Sequence, residues 1–131
     1  MIILAVDDDS ERLDSLKSCL LEAFPDADIV AENDPLMAGK YCFSHAVDIA
    51  FSGLYLKRLD GIKLEQFVHH SNPDARMYLT GTPEDYEKWK VLSQRKTVRE
   101  RKITDMVTYP ITPEQLRGIV LGQPNIQDEL I

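Results

Sequence analysis

The sequence predicts an α/β fold: a (βα)5 chain winding one parallel sheet, doubly wound, with helices on both faces. Three observations carry that prediction. Short apolar runs alternate with longer amphipathic stretches five times along the chain. The runs at residues 2–6 and 49–51 are apolar without period-two alternation, as strands buried on both faces are. Most of the amphipathic stretches open on cap and proline signals that start helices.

Taken in order, Ile2 to Val6 reads as the first strand, and a helix over residues 11–24 follows, with Leu13, Leu16, Leu20 and Phe24 on one stripe and Pro25 as its stop. A short second strand is expected at residues 28–31. Asp34-Pro35 then places an N-cap before a first-turn proline and opens a helix to about His45. The third strand is expected over residues 48–52, and the third helix over 62–70 with Leu64, Phe67 and Val68 inward. Gly39, inside the second helix, costs about 1 kcal/mol relative to alanine and suggests close packing there. Residues 76–79 form a fourth strand, and Thr82-Pro83-Glu84-Asp85 begins a helix on which Tyr86, Trp89 and Leu92 pack against the sheet. A fifth strand at 105–108 leads to Thr112-Pro113-Glu114-Gln115 and a last helix that carries Leu116, Ile119 and Val120 and ends near Gly122 and Pro124. One domain over residues 1–124 with a tail at 125–131 is the expected organisation.

The bulk properties exclude several classes. A chain of 131 residues, 44% hydrophobic, buries enough surface to fold without a disulfide or structural metal. Its two cysteines, Cys19 and Cys42, fall on helices among apolar neighbours, which suits core packing in a reducing compartment and a cytoplasmic location. The apolar N-terminus runs straight into Asp7-Asp8-Asp9, so it reads as a strand and not as a signal peptide, and no run approaches a membrane span. A net charge of −7 argues against direct nucleic-acid binding. His45, His69 and His70 have no ligand partners at metal spacing.

In an open parallel sheet, ligands bind beyond the carboxyl ends of the strands where the strand order reverses. The residues there are Asp7-Asp8-Asp9, Asn33, Gly53, Thr80-Gly81 and Tyr109-Pro110. At these positions the chain resembles the response-regulator receiver domain of bacterial two-component phosphorelay signalling. The matching residues are Val6-Asp7-Asp8-Asp9, the run Val47-Asp48-Ile49-Ala50-Phe51, the turn Leu59-Asp60-Gly61-Ile62-Lys63-Leu64, Thr80-Gly81, and an X-Pro after the fifth strand. The opening resembles in particular receivers that precede LytTR-type DNA-binding domains. The resemblance implies a flavodoxin-like sheet of strand order 2-1-3-4-5. It also implies a pocket in which an acidic pair holds Mg²⁺, an aspartate accepts phosphate, a hydroxyl bonds a phosphoryl oxygen and a lysine neutralises another. Asp7 and Asp8 match the acidic pair and Thr80 the hydroxyl. The family's spacing puts the phosphoacceptor seven residues before Asp60, which is Gly53, and the lysine position is Tyr109.

Nucleophile and cation are therefore both missing, and an atypical receiver without a catalytic residue, not an enzyme, is expected. Ser52 should face the core, Asp48 starts its strand at the wrong end, and Asp60 lies in the loop beyond the site. Asp7 and Asp8 could still hold Mg²⁺ weakly with a backbone carbonyl near Tyr55. Two carboxylates held together call for a cation. Two expectations follow: Lys57 or Arg58 folds over the pocket to pair with Asp8, and the Tyr109 ring fills the space vacated at Gly53 and donates to a carboxylate. The Tyr109-Pro110 bond is expected to be cis.

Thr80 and Tyr109 lie 29 residues apart, where receivers usually have a little over twenty. The window 88–102 holds Lys88, Lys90, Arg95, Lys96, Arg99, Arg101 and Lys102 against the single Glu100, so it carries +6 and the rest of the chain −13 of the total −7. The fourth helix is expected either to run on by two turns or to end in a basic loop near Arg95 to Lys102. In receivers the face of the fourth helix, fifth strand and last helix is the output and dimerisation surface. A protein partner, a second copy or a sensor kinase is thus expected there, with Lys88, Arg95, Lys96, Arg99, Arg101 and Lys102 as contacts. Two function classes stay open, a phosphorylation-independent interaction module, alone or as the regulatory half of a DNA-binding transcriptional regulator, and a remodelled pocket for a small molecule or ion, with an active phosphoacceptor behind them.

Overall fold

The computed structural model describes residues 1–121. Five strands, β1 (Ile2–Val6), β2 (Asp28–Glu32), β3 (Ile49–Gly53), β4 (Arg76–Gly81) and β5 (Asp105–Thr108), form one parallel sheet in the order β2-β1-β3-β4-β5. The helices are α1 (Ser10–Ala23), α2 (Pro35–Cys42), α3 (Gly61–Ser71), α4 (Pro83–Leu92), α5 (Lys96–Arg99) and α6 (Pro113–Leu121). The expected end of the last helix near Gly122 and Pro124, and the tail at 125–131, lie outside the described residues.

Strand alternation divides the core in two, one layer on each face of the sheet. Leu4, Val6, Ala50, Met77, Leu79 and Met106 meet Ala38, Cys42, Leu64, Val68 and Trp89 from α2, α3 and α4. Ile3, Ala5, Ile49, Phe51, Tyr78 and Val107 meet Leu13, Leu16, Leu20, Leu116 and Val120 from α1 and α6. Cys42 is buried in the first layer and Cys19 packs against the second, so the sheet separates the two free thiols. Tyr86 and Leu92 pack beside Trp89 as their spacing predicts.

Acidic or hydroxyl caps start the helices that leave the strand ends. Asp9, Asp34 and Asp60 accept from the backbone N–H groups of Arg12, Leu36 and Lys63, and Thr82 and Asp85 form a reciprocal capping box. Helix α2 stops at Cys42, short of His45. The Phe43 N–H folds back onto the Lys40 and Tyr41 carbonyls, and the Ser44 and His45 side chains also turn to the Tyr41 carbonyl, competing with the helical ladder. The extra length before β5 is neither a longer fourth helix nor a plain loop. α4 ends at Leu92 and a separate one-turn helix, α5, follows. At Gly39 the Phe67 ring would lie 3.5 Å from an added Cβ, an ordinary contact, so close packing does not force glycine there.

Candidate functional site

The parallel register sets the site. Gly53, the last residue of β3, pairs with Thr80 of β4, and Gly81 pairs with Thr108 of β5. Asp7 follows β1 directly, and Tyr109 follows β5 with its N–H bonded to the Gly81 carbonyl at 2.9 Å. These strand ends enclose a cavity of about 170 Å³ lined by Asp7, Arg12, Gly53, Leu54, Tyr55, Thr80, Gly81, Asp85 and Tyr109. The Tyr109-Pro110 bond is cis.

Asp7 is the buried charge of the site, 2% exposed. Its Oδ1 accepts from the Asp9 N–H at 2.9 Å and from Arg12 Nη2 at 3.4 Å, and its Oδ2 lies 3.4 Å from Arg12 Nε. Burial pushes the Asp7 carboxyl above its ordinary range, and the Asp9 N–H and the Arg12 guanidinium oppose that shift. Arg12, in the first turn of α1, is thus the cation that the acidic cluster requires. It was legible only as a helix residue five positions after Asp7.

The expectation for Lys57 and Arg58 is corrected. Asp8 accepts from the backbone N–H of Lys57 at 3.0 Å and not from either side chain, while Arg58 reaches Asp34 at 3.3 Å. The loop between β3 and α3 already carries a backbone donor to Asp8, so no side chain has to bend over it.

The expectation for Tyr109 is half corrected. Its hydroxyl does enter the cavity, buried beside Asp7 and Thr80, and burial pushes the phenol up to about 12. It makes no hydrogen bond to a carboxylate, and it does not fill the space at Gly53. A Cβ at Gly53 would meet Leu56 Cδ2 at 3.2 Å and the Asp7 Cγ and Oδ2 atoms at 3.8 Å. Leu56 thus lies over the position from which a nucleophile would reach. Nothing in its local pattern marks it, because its role depends on how the loop folds back.

Thr80 is 1% exposed, and the buried Thr80 Oγ1 and Tyr109 Oη have no hydrogen-bond partner beyond one another, while the buried Arg12 Nε faces only Asp7 Oδ2. Ser52 faces away, donating to the Gly53 carbonyl at 3.1 Å. Asp60 is taken up as the α3 cap, and Asp48 holds the opposite end of the sheet through the Ile2 N–H at 2.8 Å. Both carboxylates that the resemblance assigns to Mg²⁺ are already engaged. Asp7 is held by Arg12, Asp8 by a backbone N–H, and no group of three metal-ligating side chains gathers among the described residues.

The basic residues divide. Lys88 lies exposed on α4 with its ammonium 5.5 Å from the centre of the Tyr55 ring, at the rim of the site. Arg95, Lys96, Arg99 and Lys102 are exposed. Arg101 instead turns to α3, where Glu65, 5% exposed, lies 3.8 Å from it. Glu65 also accepts from the Lys102 N–H at 3.3 Å and faces His69 Nδ1 at 2.6 Å. The segment is therefore anchored across to α3, a tie that sequence reading missed because Glu65 looks like any helical glutamate. His45 stacks on Tyr41, and no helix among the described residues is long and apolar enough to cross a membrane.

No family model matches the sequence, and no curated protein does either. Solved structures do match by shape. The chemotaxis response regulator CheY4 of Vibrio cholerae is 18% identical with a TM-score of 0.73, over 92% of this chain and 96% of that one. A response regulator receiver domain protein from Clostridium thermocellum is 14% identical with a TM-score of 0.70, over 99% and 98% of the two chains. NtrX from Brucella abortus, solved in complex with ADP, is 20% identical with a TM-score of 0.71, over 93% of this chain and 26% of that one. The likeness is one of fold: the chain has the flavodoxin-like fold of response-regulator receiver domains.

Proposed function

We propose that this chain is an atypical receiver module of two-component signalling that acts without accepting phosphate, through contacts with another protein. The observation that supports the reading is the strand-end pocket. Glycine occupies the nucleophile's place, Leu56 lies over it, and Arg12 already neutralises the carboxylate that would help hold a metal. Phosphoryl transfer works by positioning and charge cancellation around an attacking oxygen, and here glycine supplies no attacking oxygen and Arg12 already pairs with the Asp7 carboxylate. What remains for such a fold is recognition. The +6 window between residues 88 and 102 gives the chain a basic surface against an acidic remainder, which favours an acidic protein face or a second copy. Incubation with acetyl phosphate and Mg²⁺, followed by intact mass, tests this. No adduct is expected, and a stoichiometric phosphoryl adduct overturns the reading.

A second reading rests on a different observation. The hydroxyls of Thr80 and Tyr109 have no partner beyond one another in the 170 Å³ cavity, and buried hydroxyls usually bond further. A small polar molecule would satisfy them. Protection of the Thr80 and Tyr109 amides from hydrogen exchange by an added ligand would distinguish this reading from protein contact alone.

A further inference from the structure

Between α4 and the segment that follows it lies a second cavity, of about 220 Å³, lined by Trp89, Ser93, Val98, Arg99, Arg101 and Ile103. Trp89 is buried, and Val98 and Ile103 pack against the core, so these three form an apolar wall. The two arginines supply the charge. Arg99 has no ion pair among the described residues. Arg101 is held in place: Glu65 lies 3.8 Å from its Nη1, and Gln66, with its amide oxygen toward the guanidinium, accepts from both terminal nitrogens. Glu65 is oriented in turn by His69, whose Nε2 meets the Ala75 carbonyl at 2.8 Å. A chain of oriented groups thus runs from a backbone carbonyl through a buried carboxylate to a guanidinium at the cavity.

A merely solvated basic segment has no need of a buried glutamate behind it. Such backing fixes the direction in which a charged group points, as supporting shells do at binding sites. A guanidinium has five N–H groups, and Glu65 and Gln66 take at most three of those on Arg101. We propose that this cavity binds an anionic group, a carboxylate or phosphate, carried on a small apolar body. Arg99 and Arg101 take the anion with paired N–H donors, and Trp89, Val98 and Ile103 receive the apolar part. The anion belongs either to a free small molecule or to an acidic side chain of a bound protein.

Trp89 is the only tryptophan of the chain and reports directly on the cavity. Its fluorescence is followed while the intact chain is titrated with benzoate, inorganic phosphate and a hexaglutamate peptide at constant ionic strength. A saturable change is expected with at least one probe. Arg99→Gln is expected to weaken it by roughly tenfold or more, whereas Lys96→Gln, outside the cavity, changes it by less than about twofold. Gln66→Ala, an exposed substitution that loosens Arg101 without emptying the core, is expected to weaken it too. Saturation by benzoate or phosphate assigns a free small anion, and saturation by the peptide alone assigns an acidic side chain of a partner. The proposal fails if no probe saturates below about 10 mM, or if Lys96→Gln weakens binding as much as Arg99→Gln does.

Discussion

On the proposed reading, an aspartate at position 53 restores the residue type that receivers use, and the structure predicts that it costs stability without restoring chemistry. The new Cβ would lie 3.2 Å from Leu56 Cδ2, tighter than an ordinary contact, and 3.8 Å from Asp7 Oδ2. The added carboxylate therefore joins a buried one. Two unit charges about 4 Å apart repel by about 4 kcal/mol at an effective dielectric constant near 20. Arg12, already engaged with Asp7 and partly exposed, offsets a fraction of that. A net loss of about 1–3 kcal/mol is expected at pH 7.5, or roughly 4–12 °C in Tm for a domain of this size. Gly53→Ala separates charge from bulk. It meets the same Leu56 contact, which a half-buried loop side chain relieves by a small shift, and it gains about 0.4–1 kcal/mol from a less flexible unfolded chain, so it should come out near neutral. Thermal unfolding followed by circular dichroism at pH 7.5 and pH 4 measures all three proteins. The deficit of Gly53→Asp relative to Gly53→Ala should shrink at the lower pH, where the carboxyls take up protons. The reasoning is refuted if Gly53→Asp is as stable as Gly53→Ala at pH 7.5, or if acetyl phosphate with Mg²⁺ phosphorylates it completely.

Three further outcomes follow from the same geometry. Gly61→Ala would put a Cβ 2.4 Å from the Gly53 carbonyl oxygen and 2.8 Å from Leu79 Cδ2, so it should destabilise by about 2–4 kcal/mol in urea unfolding; a change under about 0.5 kcal/mol would contradict it. Gly39→Ala should stabilise by about 0.5–1 kcal/mol, because the methyl meets Phe67 at ordinary contact distance on a helix interior; a lower urea midpoint would count against this. Tyr109 carries a phenol pushed up to about 12, chiefly by burial and then by the Asp7 charge. Its folded value exceeds the unfolded value near 10, so the stability linked to it is complete below about pH 10 and is lost as pH rises toward 12. Tyr109→Phe should flatten that alkaline loss, as read from unfolding midpoints between pH 9 and 12, and an unchanged slope would refute the assignment.

The order of the elements was legible because each rests on local chemistry. Apolar runs such as Ile2–Val6 make strands, and the caps at Asp34 and Thr82 start helices wherever they stand. The approximate site was legible for the same reason, since the residues after parallel strands gather at one end of the sheet. Boundaries were less so. Helix α2 stops short because Ser44 and His45 offer the Tyr41 carbonyl other partners, a competition that depends on side-chain placement.

The sequence by itself determined that Gly53 carries no side-chain nucleophile and Tyr109 no positive charge, whatever surrounds them. It also determined the division of charge into a +6 window and a −13 remainder. Only the tertiary structure decided what surrounds these positions. Arg12 neutralises Asp7 because the first turn of α1 returns over the end of β1. Leu56 covers Gly53 because the loop before α3 folds inward, with the Lys57 N–H on Asp8. Glu65 holds Arg101 against α3 because a buried carboxylate needs a partner. Residue type is a property of one position, whereas the worth of a charge depends on burial and on neighbours far along the chain.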